Sequence, residues 1–146
     1  LVFWQKLSRN TPDTTDDFEM TNGRPETDVI TVDRAAICLS DSGAQVCSYP
    51  PLMKEDKNLQ ELIHGVINRQ TQFILRNSYA NALFKDFNKV SEWKSDLTAM
   101  KPGIHGRKWK LDSLCYHNRL SYSYWQQTGD TKPFDRSLET SHAAGS

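Results

Sequence analysis

Between Asp56 and about Leu97, apolar residues fall at Leu59, Leu62, Ile63, Val66, Ile67, Phe73, Ile74, Ala80, Phe84 and Phe87. That spacing draws one continuous stripe on a helix. Unbroken, a helix of 40 residues would be about 60 Å long, more than a compact domain of this size can hold. A break is therefore predicted at Arg76-Asn77-Ser78-Tyr79, where side-chain hydrogen bonds compete with the helix. A second weak point is expected at Asn88 to Ser91, and Lys101-Pro102-Gly103 ends the helical region.

Period two marks the flanks of this region. Val29 to Tyr49 reads as a β-hairpin. Its first strand opens on the β-branched run Val29-Ile30-Thr31-Val32, and Ser40-Asp41-Ser42-Gly43 supplies the turn. Arg107 to Gln126 reads as a second hairpin, because Trp109 and Leu111 alternate with Lys108 and Lys110, and Leu120, Tyr122 and Tyr124 with serines. A short helix capped at Asp112, with Leu114, Cys115 and Tyr116 inside it, is the rival reading of this segment. Arg9 to Asp28 is rich in Thr, Asp, Asn, Gly and Pro and reads as a long loop or arm. The expected fold is α+β: a small antiparallel sheet of two hairpins with a long, broken amphipathic helix packed on one face. Residues 1–28 form an N-terminal segment and acidic arm, 29–126 a single globular domain, and 127–146 a flexible tail in this scheme.

At 146 residues the chain holds one ordinary domain. The 37% apolar content is low and the mean hydropathy is -0.67, so much of the surface is wet. No run approaches the length of a membrane-spanning helix. The chain opens on Leu1 rather than Met, as a fragment or a processed product would, and compartment stays open. Eighteen bases balance eighteen acids, which argues against a nucleic-acid packaging protein. The balance is uneven along the chain: Asp13, Asp16, Asp17, Glu19, Glu26, Asp28 and Asp33 face only Arg9 and Arg24, whereas Lys101, Arg107, Lys108, Lys110 and Arg119 face only Asp112. The two segments are expected to meet, within one copy or between copies.

Four features carry candidate chemistry. A two-residue turn at Ser42-Gly43 would set Cys38 opposite Cys47, making them a disulfide candidate in an oxidising compartment. Cys115-Tyr116-His117 raises a cysteine nucleophile, with His64, His105 or His117 as base. The cysteines and histidines are too scattered for a zinc site, so no metal and no cofactor are expected. Gly103 to Lys110 is the best anion or nucleic-acid segment: Arg107, Lys108, Lys110 and Arg119 supply charge, and Trp109 could stack a base. As a strand, this segment would instead turn Trp109 into the core. Gln70 and Asn77 interrupt the helical stripe and could set an oligomeric register.

Gly106 to Tyr116, GRKWKLDSLCY, resembles a short ectodomain stretch of Patched-type membrane proteins over eleven residues; the rest of the chain does not share the pattern, and nothing follows from it for fold or function. No nucleophile elbow and no phosphate loop is present. The expectation from sequence is thus a non-enzymatic structural, assembly or protein-recognition module, with a protein partner or a second copy bound. A nucleic-acid- or anion-binding domain using residues 101–119 is the alternative, and a small Cys/His enzyme a third.

Overall fold

The computed structural model describes residues 15–29 and 36–134. Their elements run β1 (Thr15–Thr21), β2 (Arg24–Val29), β3 (Ala36–Cys38), α1 (Leu39–Val46), α2 (Lys57–Arg76), β4 (Ala82–Phe84), β5 (Ile104–Gly106) and α3 (Leu111–Thr128). Short 3-10 turns occupy Pro50–Leu52 and Lys132–Phe134. β1 and β2 form one antiparallel pair, and β3-β4-β5 a second antiparallel sheet. The architecture is α+β, with the long helix α2 on β2, as the hydrophobic pattern led us to expect.

α2 begins and ends for identifiable reasons. The Asp56 carboxylate accepts from the Asn58 and Leu59 amides at 3.0 and 3.1 Å, capping the first turn. At the other end the Asn77 side chain accepts from the Tyr79 amide at 3.1 Å, the local competition expected there. Beyond it the predicted stripe does not resume as a helix. Ala82–Phe84 enters the sheet, and the predicted stripe from Ala80 to Phe87 is core contributed by a strand and loops. The apolar face of α2 serves two clusters. Leu59, Leu62, Ile63, Val66 and Ile67 pack with Val29, Met53, Leu120 and Tyr124, and Phe73 packs with Ile37, Leu39, Leu83 and Ile104.

The polar arm is corrected where it is described. Asn22 and Gly23 both take positive φ, 52° and 77°, and make the tight turn that joins β1 to β2. Every residue from Pro25 to Val29 is buried, polar ones included. They tolerate burial because α2 satisfies them: Thr27 Oγ1 donates to the Leu62 carbonyl at 3.0 Å, and Asn68 Nδ2 to the Pro25 carbonyl at 2.9 Å. The arm's described acids, Glu19, Glu26 and Asp28, pair elsewhere than with the basic segment. Glu19, Glu26 and Asp28 surround Arg69, and Lys85 reaches Glu19 and Asp28. Residues 1–14, 30–35 and 135–146, including Val29-Ile30-Thr31-Val32 beyond Val29 and most of the expected tail, lie outside the described residues.

Helix α2 approaches β2 closely at Gly65. A β-carbon there would meet the Thr27 hydroxyl and lie 2.9 Å from the Thr27 amide nitrogen. We therefore expect Gly65→Ala to destabilise the protein by about 1–3 kcal/mol, outweighing alanine's helix-propensity gain of about 1 kcal/mol. A urea melt with a raised midpoint would refute this.

Both expected hairpins after Val29 are overturned. Ser40-Asp41-Ser42-Gly43 forms the first turns of α1. Cys38 ends β3, and Cys47 caps α1, so about 12 Å of helix rise separates them, beyond disulfide reach. Both thiols are free. Arg107 to Gln126 is a loop followed by α3, as the rival helix reading had it, but longer. The residues that α3 buries, Ser113, Leu120 and Tyr124, follow helical spacing.

Candidate functional site

β4 lies between β3 and β5 and runs antiparallel to both. β3 and β5 therefore point the same way and finish at one end of the sheet, where β4 starts. α1 leaves that end directly after Cys38, and α3 leaves it four residues after Gly106. The two helices pack side by side: a β-carbon on Gly43, the fifth residue of α1, would lie 3.2 Å from the Tyr116 β-carbon, the sixth residue of α3. Farther along, Val46 of α1 and Leu120 of α3 belong to one buried cluster. The helices therefore run in the same direction, with their second turns in contact.

Asn81 ties this end together. Its carbonyl accepts from the Leu39 amide at 3.1 Å, its amide donates to the Gly106 carbonyl at 3.0 Å, and its side-chain oxygen accepts from the Lys108 amide at 2.7 Å. Onto this frame the chain sets an exposed aromatic and cationic group. The rings of Tyr79 and Trp109 are 55% and 62% exposed, with centroids 6.5 Å apart. The Arg107 guanidinium lies 5.4 Å from the Tyr79 ring centre, a cation–π contact. Its Nε is buried without a hydrogen-bond partner. Asp41 and Asp112 are exposed in the first turns of α1 and α3, where the helix dipole favours a carboxylate.

Of the binding residues singled out in the sequence, Arg107, Lys108, Trp109 and Lys110 gather here, with Lys110 as the N-cap of α3. Trp109 is exposed, not core. Arg119 lies two turns into α3, about 12 Å along its axis, and does not join them. Tyr79, Asn81, Asp41 and Asp112 were missed as site residues, because only the strand order brings them together. Cys115 and His117 do not form a catalytic pair. Cys115 is exposed on one side of α3, while His117 bonds inward to Gln70 at 3.2 Å. Burial lowers the His117 pKa to about 4, which keeps it neutral at neutral pH. His64 is elsewhere, beside Tyr124, and burial lowers its pKa too. Among the described residues no cluster of His, Cys, Asp and Glu is arranged to hold a metal.

A cleft of about 300 Å³ lies between the β1–β2 hairpin, α2 and the end of α3. Lys57, Gln60, Glu61 and His64 of α2 line one side of it, and Tyr124, Asp130 and Lys132 another. Tyr124 donates to Asp130 at 3.0 Å, and burial pushes the phenol up to about 12.

Residues 2–144 match the family model described as metal-independent alpha-mannosidase, GH125. The chain is 35% identical over 133 residues to the Meiotically up-regulated gene 157 protein of Schizosaccharomyces pombe, an alignment that takes in 86% of this chain and 26% of that protein. It is also similar to a solved Streptococcus pneumoniae structure described as a metal-independent α-mannosidase in a non-productive complex with α-1,6-mannobiose. That likeness has a TM-score of 0.77 and 32% identity over 97% of this chain and 32% of the other. The chain thus spans about a third or less of the length of these relatives. These findings overturn the expectation of a non-enzymatic structural, assembly or protein-binding module, and with it the nucleic-acid and Cys/His alternatives. They point to a glycoside hydrolase. Gly106 to Tyr116, which suggested Patched-type proteins, falls within the matched residues.

Proposed function

The chain belongs to the GH125 family of metal-independent α-mannosidases, and on that premise we propose that its sheet end is a sugar-binding face of a glycoside hydrolase acting on α-mannosides. The observation that carries this reading is the convergence of Arg107, Tyr79 and Trp109 where the two Asp-bearing helices begin. A pyranose offers an apolar C–H face and a rim of hydroxyls. The exposed rings of Tyr79 and Trp109 suit the first, since they present large, rigid apolar area at low entropic cost. Asp41 and Asp112 accept hydrogen bonds from hydroxyls, and Arg107 donates to ring or hydroxyl oxygens. Glycoside hydrolysis of the usual kind runs on carboxylates alone, which accords with the family's metal independence.

The test is titration of the chain with α-1,6-mannobiose, followed by NMR, together with mannose release in EDTA. We expect Trp109→Ala and Asp112→Asn each to weaken binding by about tenfold, equivalent to about 1.4 kcal/mol. EDTA is expected to leave mannose release unchanged. A folded chain that neither binds nor cleaves the disaccharide, or binding untouched by both substitutions, overturns the reading.

A further inference from the structure

We propose that Gln70, held by His117, is a positioning residue that fixes the Asp41-bearing first turn of α1 at the sugar-binding end. The inference rests on the sugar-binding reading and deepens it.

Gln70 is 1% exposed and sits on the inner face of α2, among Val66, Ile67 and Phe73. An aliphatic side chain would fill that place without any polar group to satisfy, whereas a buried amide is costly unless its bonding is complete. Here the Gln70 amide reaches both other helices. Its Nε2 donates to the Ser42 hydroxyl at 2.8 Å and to the Leu39 carbonyl at 3.3 Å. The Ser42 hydroxyl itself donates to the same carbonyl, at 3.2 Å. With Nε2 spent as donor, Oε1 is left to accept, so His117 Nδ1, 3.2 Å away, carries the proton. A neutral imidazole supplies that donor, and burial keeps this one neutral.

The network grips the two residues that bracket Asp41. Leu39 and Ser42 are held on either side of it, and the intervening turn has little freedom left. α1 needs this hold, because no side chain caps its N-terminus. Its other fixed point is the Leu39 amide on the Asn81 carbonyl, which belongs to the frame of the same site. Gly43 completes the arrangement. Its β-carbon position lies 3.5 Å from Gln70 Nε2 and 3.2 Å from the Tyr116 β-carbon, so the amide, α1 and α3 meet without slack. An element under a buried polar clamp is placed more rigidly than one under apolar contacts, which tolerate sliding.

The experiment compares wild type with Gln70→Met, His117→Leu and His117→Asn. Methionine keeps the volume of Gln70 and removes its bonds; asparagine keeps a donor near the place of Nδ1. Ile63→Val, a core change elsewhere on α2, controls for lost stability. The readouts are affinity for α-1,6-mannobiose and amide hydrogen exchange across Asp41 to Gly43. For Gln70→Met and His117→Leu we expect affinity to fall by about tenfold and exchange in that turn to quicken by a similar factor. His117→Asn is expected to stay within about twofold of wild type, and so is Ile63→Val. Unchanged exchange in the first turn of α1, unchanged affinity, or an equal loss in Ile63→Val overturns the inference. If Gln70→Met does not fold, His117→Leu carries the same decision. A wild type that binds no α-1,6-mannobiose overturns the sugar-binding reading and this inference with it, whereas binding by wild type with no response in the variants overturns the inference alone.

Discussion

Replacing Arg69 with Met is expected to cost about 3–5 kcal/mol of folding stability, the usual result of stripping the partner from buried charges. The Arg69 side chain is almost fully buried between α2 and the β1–β2 hairpin. Its Nε lies 2.6 Å from Asp28 Oδ1, and its Nη2 2.9 Å from both Glu26 Oε2 and Glu19 Oε1. Glu26 and Asp28 are themselves buried, at 6% and 1% exposure. Lys85 covers part of Asp28 from outside, 3.3 Å away, with its own side chain nearly half exposed. Without the guanidinium, burial would hold two carboxylates together with too little opposing charge. Burial already pushes the Asp28 carboxyl above its ordinary value, and Arg69 and Lys85 only partly pull it back.

The pH dependence follows with a definite sign. Losing Arg69 raises the folded-state pKa of Asp28 further above the unfolded value, because burial then acts with less opposing charge. The folded variant then binds more protons than the unfolded chain across the interval between those values. Its stability must fall as pH rises through the raised pKa and recover as pH drops toward the unfolded one. Urea melts of wild type and Arg69→Met at neutral pH and near pH 5 would therefore show a gap that narrows in acid, about 5 being chosen as above the ordinary carboxylate range. A loss below about 1 kcal/mol at neutral pH, typical of an exposed pair, would show that water reaches the cluster.

What could be read in advance from the chain depended on how local each determinant was. α2 was legible because Asp56, its stripe and the Asn77 turn all act within a few residues. α1 was not. Ser40, Asp41, Ser42 and Gly43 favour turns in isolation, and they form a helix here because Gln70 and Tyr116 receive them from elsewhere in the chain. For α3, Leu120, Tyr122 and Tyr124 alternate over five residues, too short a run to separate the two periods. Ser113, Leu120 and Tyr124, at helical spacing, were the better guide, but a serine does not announce burial. The β1–β2 hairpin carried an Asn22-Gly23 signal that its polar strands obscured; β2 is buried only because Arg69, Asn68 and Gln72 meet its side chains or carbonyls. At the sheet end, the Arg107 to Lys110 segment was visible as a cationic and aromatic run. Its convergence with Tyr79, Asp41 and Asp112 requires the order β3-β4-β5, which no local pattern encodes.

Phe73→Ala is expected to cost about 3–5 kcal/mol, as for other buried phenylalanines. Phe73 has no exposed surface and lies beneath the β3-β4-β5 sheet with Ile37, Leu39, Leu83 and Ile104. The size of the loss depends on whether neighbours can collapse into the space. Phe87 is the nearest candidate, its ring edge-on to Phe73 with centroids 6.1 Å apart. Its backbone is blocked from following, because Gly103 already sits against it, with a β-carbon position 2.9 Å from the Phe87 carbonyl oxygen. Arg76 also covers the Phe87 ring, 4.0 Å from its centre, and would have to be displaced. The space therefore stays largely open, and the cost falls in the upper part of that range. Leu39, the first residue of α1, borders the same space, so slackening there should also be felt at Asp41. Denaturant melts should show a lower midpoint with an unchanged slope, since the two-state surface change is preserved. A cost below about 1 kcal/mol would mean that Phe87 and its loop do collapse inward, and that the cluster under the sheet is softer than its packing shows.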